Sequence, residues 1–371
     1  MVPWSWSRSA RRHNVDEEKQ SSGSRNFLKF LVDPAHPSVD IVAVHGLNPL
    51  DKQSHAEATW TTGGKLWLRD FLPKRVPDAR IMIFGYNANV AFQTAAAGVR
   101  EQAENLLNLL EEARTMDPNR PCIFICHSLG GLIVKRALVH ANTDRTYGMI
   151  LKCTFGIAFL ATPHEGGNHA GMGDVVAKVA RSILGSPSNN FMSALKTGSL
   201  FLDTITDDFR QLLEDFQILS FYETQPLGRF GIVVNQKSAT LSLPGSREKR
   251  IPCDADHRNI CKFDHENDPR YQQLADNLVK MINKACSPRW NPRPTSSSTE
   301  NSSNIEGELN ATLQAGYGNQ SRTYGDTNET RQFGEGNNSE TVGNGNITTQ
   351  ITMGAASAGR YEDVFKSFVN F

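Results

Sequence analysis

The chain has no excess of either charge, since 39 Lys and Arg residues balance 39 Asp and Glu residues over 371 positions. This balance gives no electrostatic reason to expect a nucleic-acid partner. No run of eighteen apolar residues and no apolar core of a signal peptide is present, so no membrane-spanning helix is predicted. The six cysteines lack the dense spacing of a disulfide framework, which favours an intracellular, cytoplasmic protein.

The beginning of the chain is poor in acidic residues. The stretch "MVPWSWSRSARRHNV" holds three arginines, three serines and no acid. Such a composition predicts a disordered arm over residues 1–25. Two alternatives stay open, namely a mitochondrial presequence or contact with a membrane surface through Trp4 and Trp6.

A globular domain is predicted over residues 26–286. Apolar segments such as "DIVAVHG", "ARIMIFGY", "CIFICHS" and "FQILSFYE" alternate with helical patterns such as "VREQAENLLNLLEEAR". Strands that are apolar throughout and alternate with helices are typical of a mostly parallel sheet with helices on both faces, the α/β class. A further strand is predicted in "FGIVV", which ends at Val234. Residues 287–300 are rich in Pro and Ser and indicate a linker.

The stretch "CIFICHSLGG" places Ser128 between an apolar strand and a helix that opens with glycines. Glycine permits a tight turn and a close approach of helix to strand. A serine at such a turn lies at the carboxyl edge of the sheet, where α/β proteins place their ligands. The pattern is that of a nucleophile elbow, G-x-S-x-G, with Cys126 in the first glycine position. The alternative is a serine that only caps a helix.

A nucleophilic serine requires a base and an orienting acid, which follow it in this chain order in α/β folds of this kind. His257, in a polar loop before the last helix, is the candidate base. Glu223, at the end of the strand "ILSFYE", is the candidate acid, because its carboxylate would hold the imidazole in the tautomer that accepts the serine proton. The rival acids are Asp203, Asp207, Asp208 and Asp215.

Two backbone N–H groups are candidates for an oxyanion hole. The Leu129 N–H follows the serine at a helix N-terminus. The Leu47 N–H lies in the loop after "IVAVHG", which His45 and Gly46 are expected to shape.

Several motifs in a fixed order resemble a known family. "VDIVAVHGLNP", "CHSLGGLIVKRAL", "IAFLATPHEGG", "SFYET" and "DHRNICKF" are similar to motifs of the lipase- and esterase-like serine hydrolases found in fungal effector proteins, relatives of the SERAC-type hydrolases. The resemblance covers about residues 27–285. It implies an α/β-hydrolase fold with Ser128 as nucleophile, Glu223 as acid and His257 as base.

The same resemblance implies a function and its requirements. The expected reaction is cleavage of a carboxylic ester, above all of a lipid, through an acyl-enzyme. A cap over residues 165–216 would set acyl specificity. No cofactor and no metal are expected.

Two alternatives to a serine hydrolase stay open. The residues Cys253, His257, Cys261 and His265 recur every four positions and are all possible zinc ligands, and a zinc ion on His257 would remove the base. The cysteine in the elbow leaves open an inactive hydrolase fold that serves as a binding module.

Residues 301–354 consist of three copies of an eighteen-residue repeat, which start at Asn301, Asn319 and Asn337. A fixed period without insertions predicts stacked β-structure with Asn and Gln ladders. The polar composition favours disorder instead, and both structures stay open. Stacking would bring Arg322 beside Glu340 in the next layer. Residues 355–371 are predicted to be a frayed C-terminal tail.

The repeats resemble the amyloid-type signalling motifs of fungal cell-death effectors. That resemblance implies a self-assembly or templating partner and a signalling role in which the repeats control the hydrolase. The partners expected from the whole sequence are therefore an ester or lipid substrate, a templating partner and a membrane surface.

Overall fold

The computed structural model describes residues 26–47, 55–87, 96–165, 171–185, 187, 199–288 and 290, together with the backbone of six strands between residues 302 and 351. The predicted N-terminal arm and the frayed C-terminal tail lie outside the described residues. Most of the described chain forms one sheet with its flanking helices.

A seven-stranded sheet organises the region before the linker. Its strand order is β1-β5-β2-β6-β7-β8-β9. Only β1 runs antiparallel to its neighbour, whereas the other pairs are parallel. The bounds are β1 Phe27–Val32, β2 Val39–Val44, β5 Ala79–Gly85, β6 Cys122–His127, β7 Thr154–Leu160, β8 Gln217–Glu223 and β9 Glu248–Cys253, with β3 Thr61–Thr62 and β4 Lys65–Leu66 forming a separate hairpin.

Helices cover both faces of this sheet. Because successive strand residues point to opposite faces, Val42 and Val44 of β2 join one core and Ile41 and Ala43 join the other. One face is covered by α3 Ala96–Ala113, α4 Gly130–Thr143, α5 Gly148–Cys153, α6 Met172–Leu184 and α7 Ser199–Arg210. The other is covered by α1 His55–Ala58, α2 Trp67–Asp70 and α8 Pro269–Ala285. The predicted fold class is confirmed.

The strand predicted in "FGIVV" is wrong. Residues 232–234 form bends, and Gly231 directly before them has a φ of 63°, which an extended strand does not accommodate. The sheet ends instead with β9, whose sequence "EKRIPC" alternates little and contains Pro252. A proline is tolerated there because β9 is an edge strand, one side of which needs no ladder hydrogen bonds.

The repeat region contains six five-residue strands in two parallel three-stranded sheets. Their bounds are β10 Ser302–Glu306, β11 Ala311–Ala315, β12 Gln320–Tyr324, β13 Glu329–Phe333, β14 Asn338–Val342 and β15 Ile347–Ile351. The orders are β10-β12-β14 and β11-β13-β15. Ser302 pairs with Gln320, and Gln320 with Asn338, so each strand lies beside its counterpart one repeat later. In this register Arg322 lies opposite Glu340.

Candidate active site

Ser128 lies on a strained turn between β6 and α4. Its φ of 52° is in the left-handed region, which a residue with a Cβ rarely adopts. Hydrogen bonds to the Ser128 backbone hold the turn in this conformation. The Ser128 N–H donates to the Leu160 carbonyl at 2.9 Å, and the Thr162 hydroxyl donates to the Ser128 carbonyl at 2.9 Å.

Glycine is required directly after the serine turn. A Cβ on Gly130 would lie 2.3 Å from the His45 carbonyl oxygen, and one on Gly131 would lie 2.4 Å from the Thr162 Cγ2 atom. The first turn of α4 can therefore approach β2 and the end of β7 only without side chains at these positions. This close approach gives the turn the shape of a nucleophile elbow.

Cysteine is accommodated in the first elbow position. Cys126 is still part of β6, where it pairs with Val44 on one side and Phe159 on the other, and it is fully buried. Burial raises the pKa of its thiol well above the usual value. Cys126 therefore remains a neutral thiol that packs as a small apolar side chain.

The structure brings the predicted serine, histidine and carboxylate together. Ser128 Oγ lies 2.8 Å from His257 Nε2, and His257 Nδ1 lies 3.2 Å from Glu223 Oε1. Glu223 is the last residue of β8, and His257 follows β9, so both reach the carboxyl edge of the sheet beside the serine. All three side chains are buried.

The contacts determine the tautomer of His257. A carboxylate only accepts hydrogen bonds, so Nδ1 carries the proton and Nε2 is free to accept from the serine hydroxyl. The Val234 N–H donates to the same Glu223 oxygen at 2.5 Å. The loop that was expected to be a strand therefore positions the carboxylate, a role that the sequence pattern did not reveal.

The loop after β2 lies directly against the serine. A Cβ on Gly46 would lie 2.9 Å from Ser128 Cβ and 3.5 Å from Ser128 Oγ. His45 Nδ1 lies 2.7 Å from the Gly46 carbonyl oxygen, and the Tyr86 N–H donates to His45 Nε2 at 3.3 Å. Burial lowers the pKa of His45 to about 3, so its ring is neutral. A neutral ring with its proton on Nδ1 satisfies both contacts and fixes the Gly46–Leu47 peptide.

Both candidate oxyanion donors flank the serine in this arrangement. Leu47 follows the Gly46 contact, and Leu129 follows Ser128 itself at the start of α4; both residues are buried. The site thus combines a hydroxyl, an imidazole, a carboxylate and two candidate N–H groups at one edge of the sheet.

The alternative ligand set for zinc is not assembled. His257 contacts Ser128 and Glu223, Cys261 Sγ donates to the Thr59 carbonyl at 3.2 Å, and His265 is 60% exposed beside Asp264. Among the described residues no group of three or more His, Cys, Asp or Glu side chains is arranged to hold a metal. Of the rival acids, Asp207 is exposed and pairs with Arg210.

The predicted cap segment contains α6 and α7. Buried side chains of both helices, among them Val176 and Phe209, join the core that also contains Cys126 and Leu129. No helix within the described part of the chain has the length and apolar character needed to cross a bilayer.

Parts of the chain are similar to known proteins. Residues 39–199 match the family described as "Putative serine esterase (DUF676)", a match that contains Ser128 and ends before Glu223 and His257. Protein SERAC1 of Bos taurus is 31% identical over 247 residues, which cover 62% of this chain and 36% of that protein. The Homo sapiens protein of the same name is 31% identical over 246 residues, which cover 63% and 35%. The match therefore spans about a third of these relatives.

Two solved structures are similar in outline. A Bacillus licheniformis lipase, BlEst2, has a TM-score of 0.45 and 18% identity over 67% of this chain and 98% of its own. Carboxyl esterase 2 of the mycorrhizal fungus Tuber melanosporum has a TM-score of 0.39 and 12% identity over 74% of this chain and 89% of its own.

The strand order and the serine turn define the class of the protein, which is the α/β-hydrolase fold. Within that class, the chain is similar to a serine esterase family over the segment that carries the elbow.

Proposed function

We propose that this chain is a serine esterase that cleaves carboxylic esters through an acyl-enzyme. The observation that carries the proposal is the pair of contacts from His257, at 2.8 Å to the Ser128 hydroxyl and at 3.2 Å to the Glu223 carboxylate. A serine that only capped α4 would need neither an imidazole nor a buried carboxylate behind it. The same contacts argue against an inactive binding module.

Each group has one task in the proposed reaction. Ser128 Oγ attacks the ester carbonyl while His257 Nε2 takes its proton, and the Leu47 and Leu129 N–H groups stabilise the oxyanion. His257 then gives the proton to the leaving alcohol, which leaves the acyl group on Ser128. A water molecule, deprotonated by His257, releases the acid. The negative charge of Glu223 stabilises the imidazolium in both steps.

The surroundings favour an ester with an apolar acyl group, as in a lipid. Ser128 is completely buried, and the two residues that carry the candidate oxyanion donors, Leu47 and Leu129, have buried apolar side chains. An apolar acyl chain that enters such an environment would gain free energy by leaving water. No cofactor is needed for this chemistry.

Reaction with a fluorophosphonate probe tests the proposal directly. We expect stoichiometric labelling of the native chain on Ser128 and hydrolysis of short-chain p-nitrophenyl esters. Ser128→Ala should abolish both, and His257→Gln should abolish labelling although the hydroxyl remains. Thr143→Val is a control that removes an exposed hydroxyl at the far end of α4 and leaves the elbow intact. A native chain that reacts with neither probe nor ester would refute the proposal.

The repeats support a second, compatible proposal, in which the chain is a signalling effector of the fungal cell-death type. The observation in its favour is the parallel register, in which identical repeat positions lie side by side in β10, β12 and β14. Among the strands that the structure describes, the two outer strands of each three-stranded sheet pair on one side only. A further repeat of the same kind from a templating partner or a second copy could pair there.

Deletion of residues 301–354 tests this control of the hydrolase by its repeats. If stacking clusters the enzyme, seeds made of the repeat peptide should raise the esterase or membrane-damaging activity of the full chain and leave the deleted chain unchanged. A scrambled peptide of the same composition is the matched control. Equal responses of both chains to the seeds would contradict the proposal.

A further inference from the structure

We infer that His127 is a positioning residue. Its side chain holds the backbone of His257 at the distance from Ser128 that the proton transfer requires. This inference rests on the proposed esterase function. It assigns a role to the elbow residue that the nucleophile pattern leaves unspecified.

The inference starts from a contact between two distant segments. His127 Nε2 lies 2.9 Å from the carbonyl oxygen of His257, although 130 residues separate them in the chain. His127 is the last residue of β6 and directly precedes Ser128. The neighbouring residues His127 and Ser128 therefore both contact His257. Ser128 contacts its imidazole, and His127 contacts its main-chain carbonyl.

The contact has a defined donor. A carbonyl oxygen only accepts, so the proton of His127 is on Nε2. Burial, reinforced by the neighbouring His257, lowers the pKa of His127 to about 3. The ring is consequently neutral at physiological pH, and it places no positive charge beside the imidazolium that forms on His257 during attack.

Packing against two aromatic rings also restrains the His127 ring. Its centroid lies 6.4 Å from that of Trp60 in an edge-on arrangement and 5.4 Å from that of His257. His127 is only 5% exposed and Trp60 is fully buried. Because the ring is fixed in this way, its hydrogen bond can restrain the loop that carries His257.

Other hydrogen bonds tie the loop around His257 to segments that do not carry the nucleophile. The Gln225 N–H donates to the Ala255 carbonyl at 3.2 Å, and the Arg258 guanidinium donates to the Ser182 carbonyl. Asp256 organises the next turn by accepting from the Arg258 and Asn259 N–H groups, a contact within the loop itself. The side chain of His257 reaches Ser128 and Glu223, but those contacts must change as the proton moves. The His127 bond leaves the proton-carrying atoms free and can persist through the whole cycle.

Two substitutions of His127 distinguish the hydrogen bond to the His257 carbonyl from the mere filling of space by the ring. In His127→Gln the terminal amide nitrogen stands at the same distance along the side chain as Nε2 and can still donate to the His257 carbonyl. In His127→Asn the amide is one carbon shorter and cannot reach it. Trp60→Phe is the packing control, since it loosens the ring support without removing the donor.

The measurement is the rate of phosphonylation per active site, together with the number of sites that react. For His127→Asn we expect all folded sites to react but at a rate lower by up to about 100-fold, with KM for an ester nearly unchanged. His127→Gln should react about tenfold faster than His127→Asn. Trp60→Phe should lower the unfolding midpoint and lower the rate per site by less than His127→Asn does, because the donor remains.

The outcomes distinguish the inference from the proposed function. If the native chain fails to react, the esterase function itself is refuted. If the native chain reacts and Asn and Gln variants show equal rates per site, the positioning role is refuted and the esterase stands. If His127→Asn lowers only the number of reactive sites, His127 serves stability alone, and the inference is likewise overturned.

Discussion

Two buried carboxylates lie at opposite ends of the parallel strands, one at the amino ends and one at the carboxyl ends, and their surroundings differ. Asp40, near the amino end of β2, accepts from three guanidinium groups, those of Arg80, Arg114 and Arg120. Glu223, at the carboxyl end of β8, accepts from the Val234 N–H and His257 with a single oxygen. Within the described residues its second oxygen, Oε2, has no partner.

The difference is the one expected between a structural site and the proposed reactive site. The partners of Asp40 are arginines, which keep their charge at all physiological pH values. They also donate to carbonyl groups such as those of Ala113 and Pro37, so the cluster stabilises the packing at the amino ends of the strands. Among the described residues, Glu223 has one titratable hydrogen-bond partner, His257, whose charge changes during the proposed reaction. A carboxylate that is only partly satisfied can strengthen its interaction when an imidazolium forms.

Neutralising Glu223 should give the largest effect. The oxygen of a glutamine in Glu223→Gln can still accept from Val234 and His257, so we expect little change in the free energy of unfolding. The imidazolium would lose its counter-charge, and kcat should fall by about 10⁴-fold. Ester hydrolysis and a urea denaturation curve on the same sample check both expectations. A fall of less than tenfold would remove Glu223 from the proposed mechanism.

Asp40→Asn should give the opposite result. It leaves the buried guanidinium groups of Arg80 and Arg114 without a counter-charge, whereas Arg120 keeps its ion pair with Asp117. Loss of one partner of a buried ion pair costs about 3–5 kcal/mol of the free energy of unfolding. The rate of phosphonylation per reactive site should not change, because the cluster lies at the edge away from Ser128. The exposed Asp207→Asn serves as control and should stay within about 0.5 kcal/mol of the original stability. An altered rate per site would show that the two edges are coupled.

The contrast also marks what the sequence could predict. Ser128 and Glu223 end apolar strands, and parallel strands bring their carboxyl ends to one edge, so their proximity follows from the pattern. His257 follows from the need for a base late in the chain. The Asp40 cluster could not be predicted, because its arginines come from different elements and carry no spacing signal.

Two features near the site could not be predicted from the sequence, because the composition of each segment is misleading. "FGIVV" has the composition of a strand, but Gly231 at positive φ turns it into the loop that supports Glu223. The strand β9 was missed because Pro252 and charged residues are atypical of a buried strand and are tolerated only at an edge. The contact of His127 with the His257 carbonyl depends on tertiary packing alone.

Acidification should lower the free energy of unfolding, because several histidines near the active site are buried in neutral form. Burial lowers the pKa of His45 and His127 to about 3 and that of His55 to about 4. The unfolded chain binds these protons near pH 6.5 and the folded chain does not, so stability falls as the pH falls from about 6.5 toward 4. His127→Gln should reduce the slope by up to about 1.4 kcal/mol per pH unit. Urea midpoints between pH 7 and 4.5 measure the slope, and an identical slope in both proteins would contradict the assignment.

The smallest effect is expected at the two cysteines of β6, which lie at its opposite ends. Cys122 is near the Asp40 cluster and Cys126 is in the elbow, yet both are buried neutral thiols in strand positions. Replacement of either by Ala should cost about 1 kcal/mol of stability, since each removes one buried atom. The phosphonylation rate per site should be the same in both variants, because Cys126 contributes volume to the elbow and no chemistry. A rate that rises in Cys126→Ala but not in Cys122→Ala would mean that this cysteine restrains the nucleophile, and the inactive binding module would regain support.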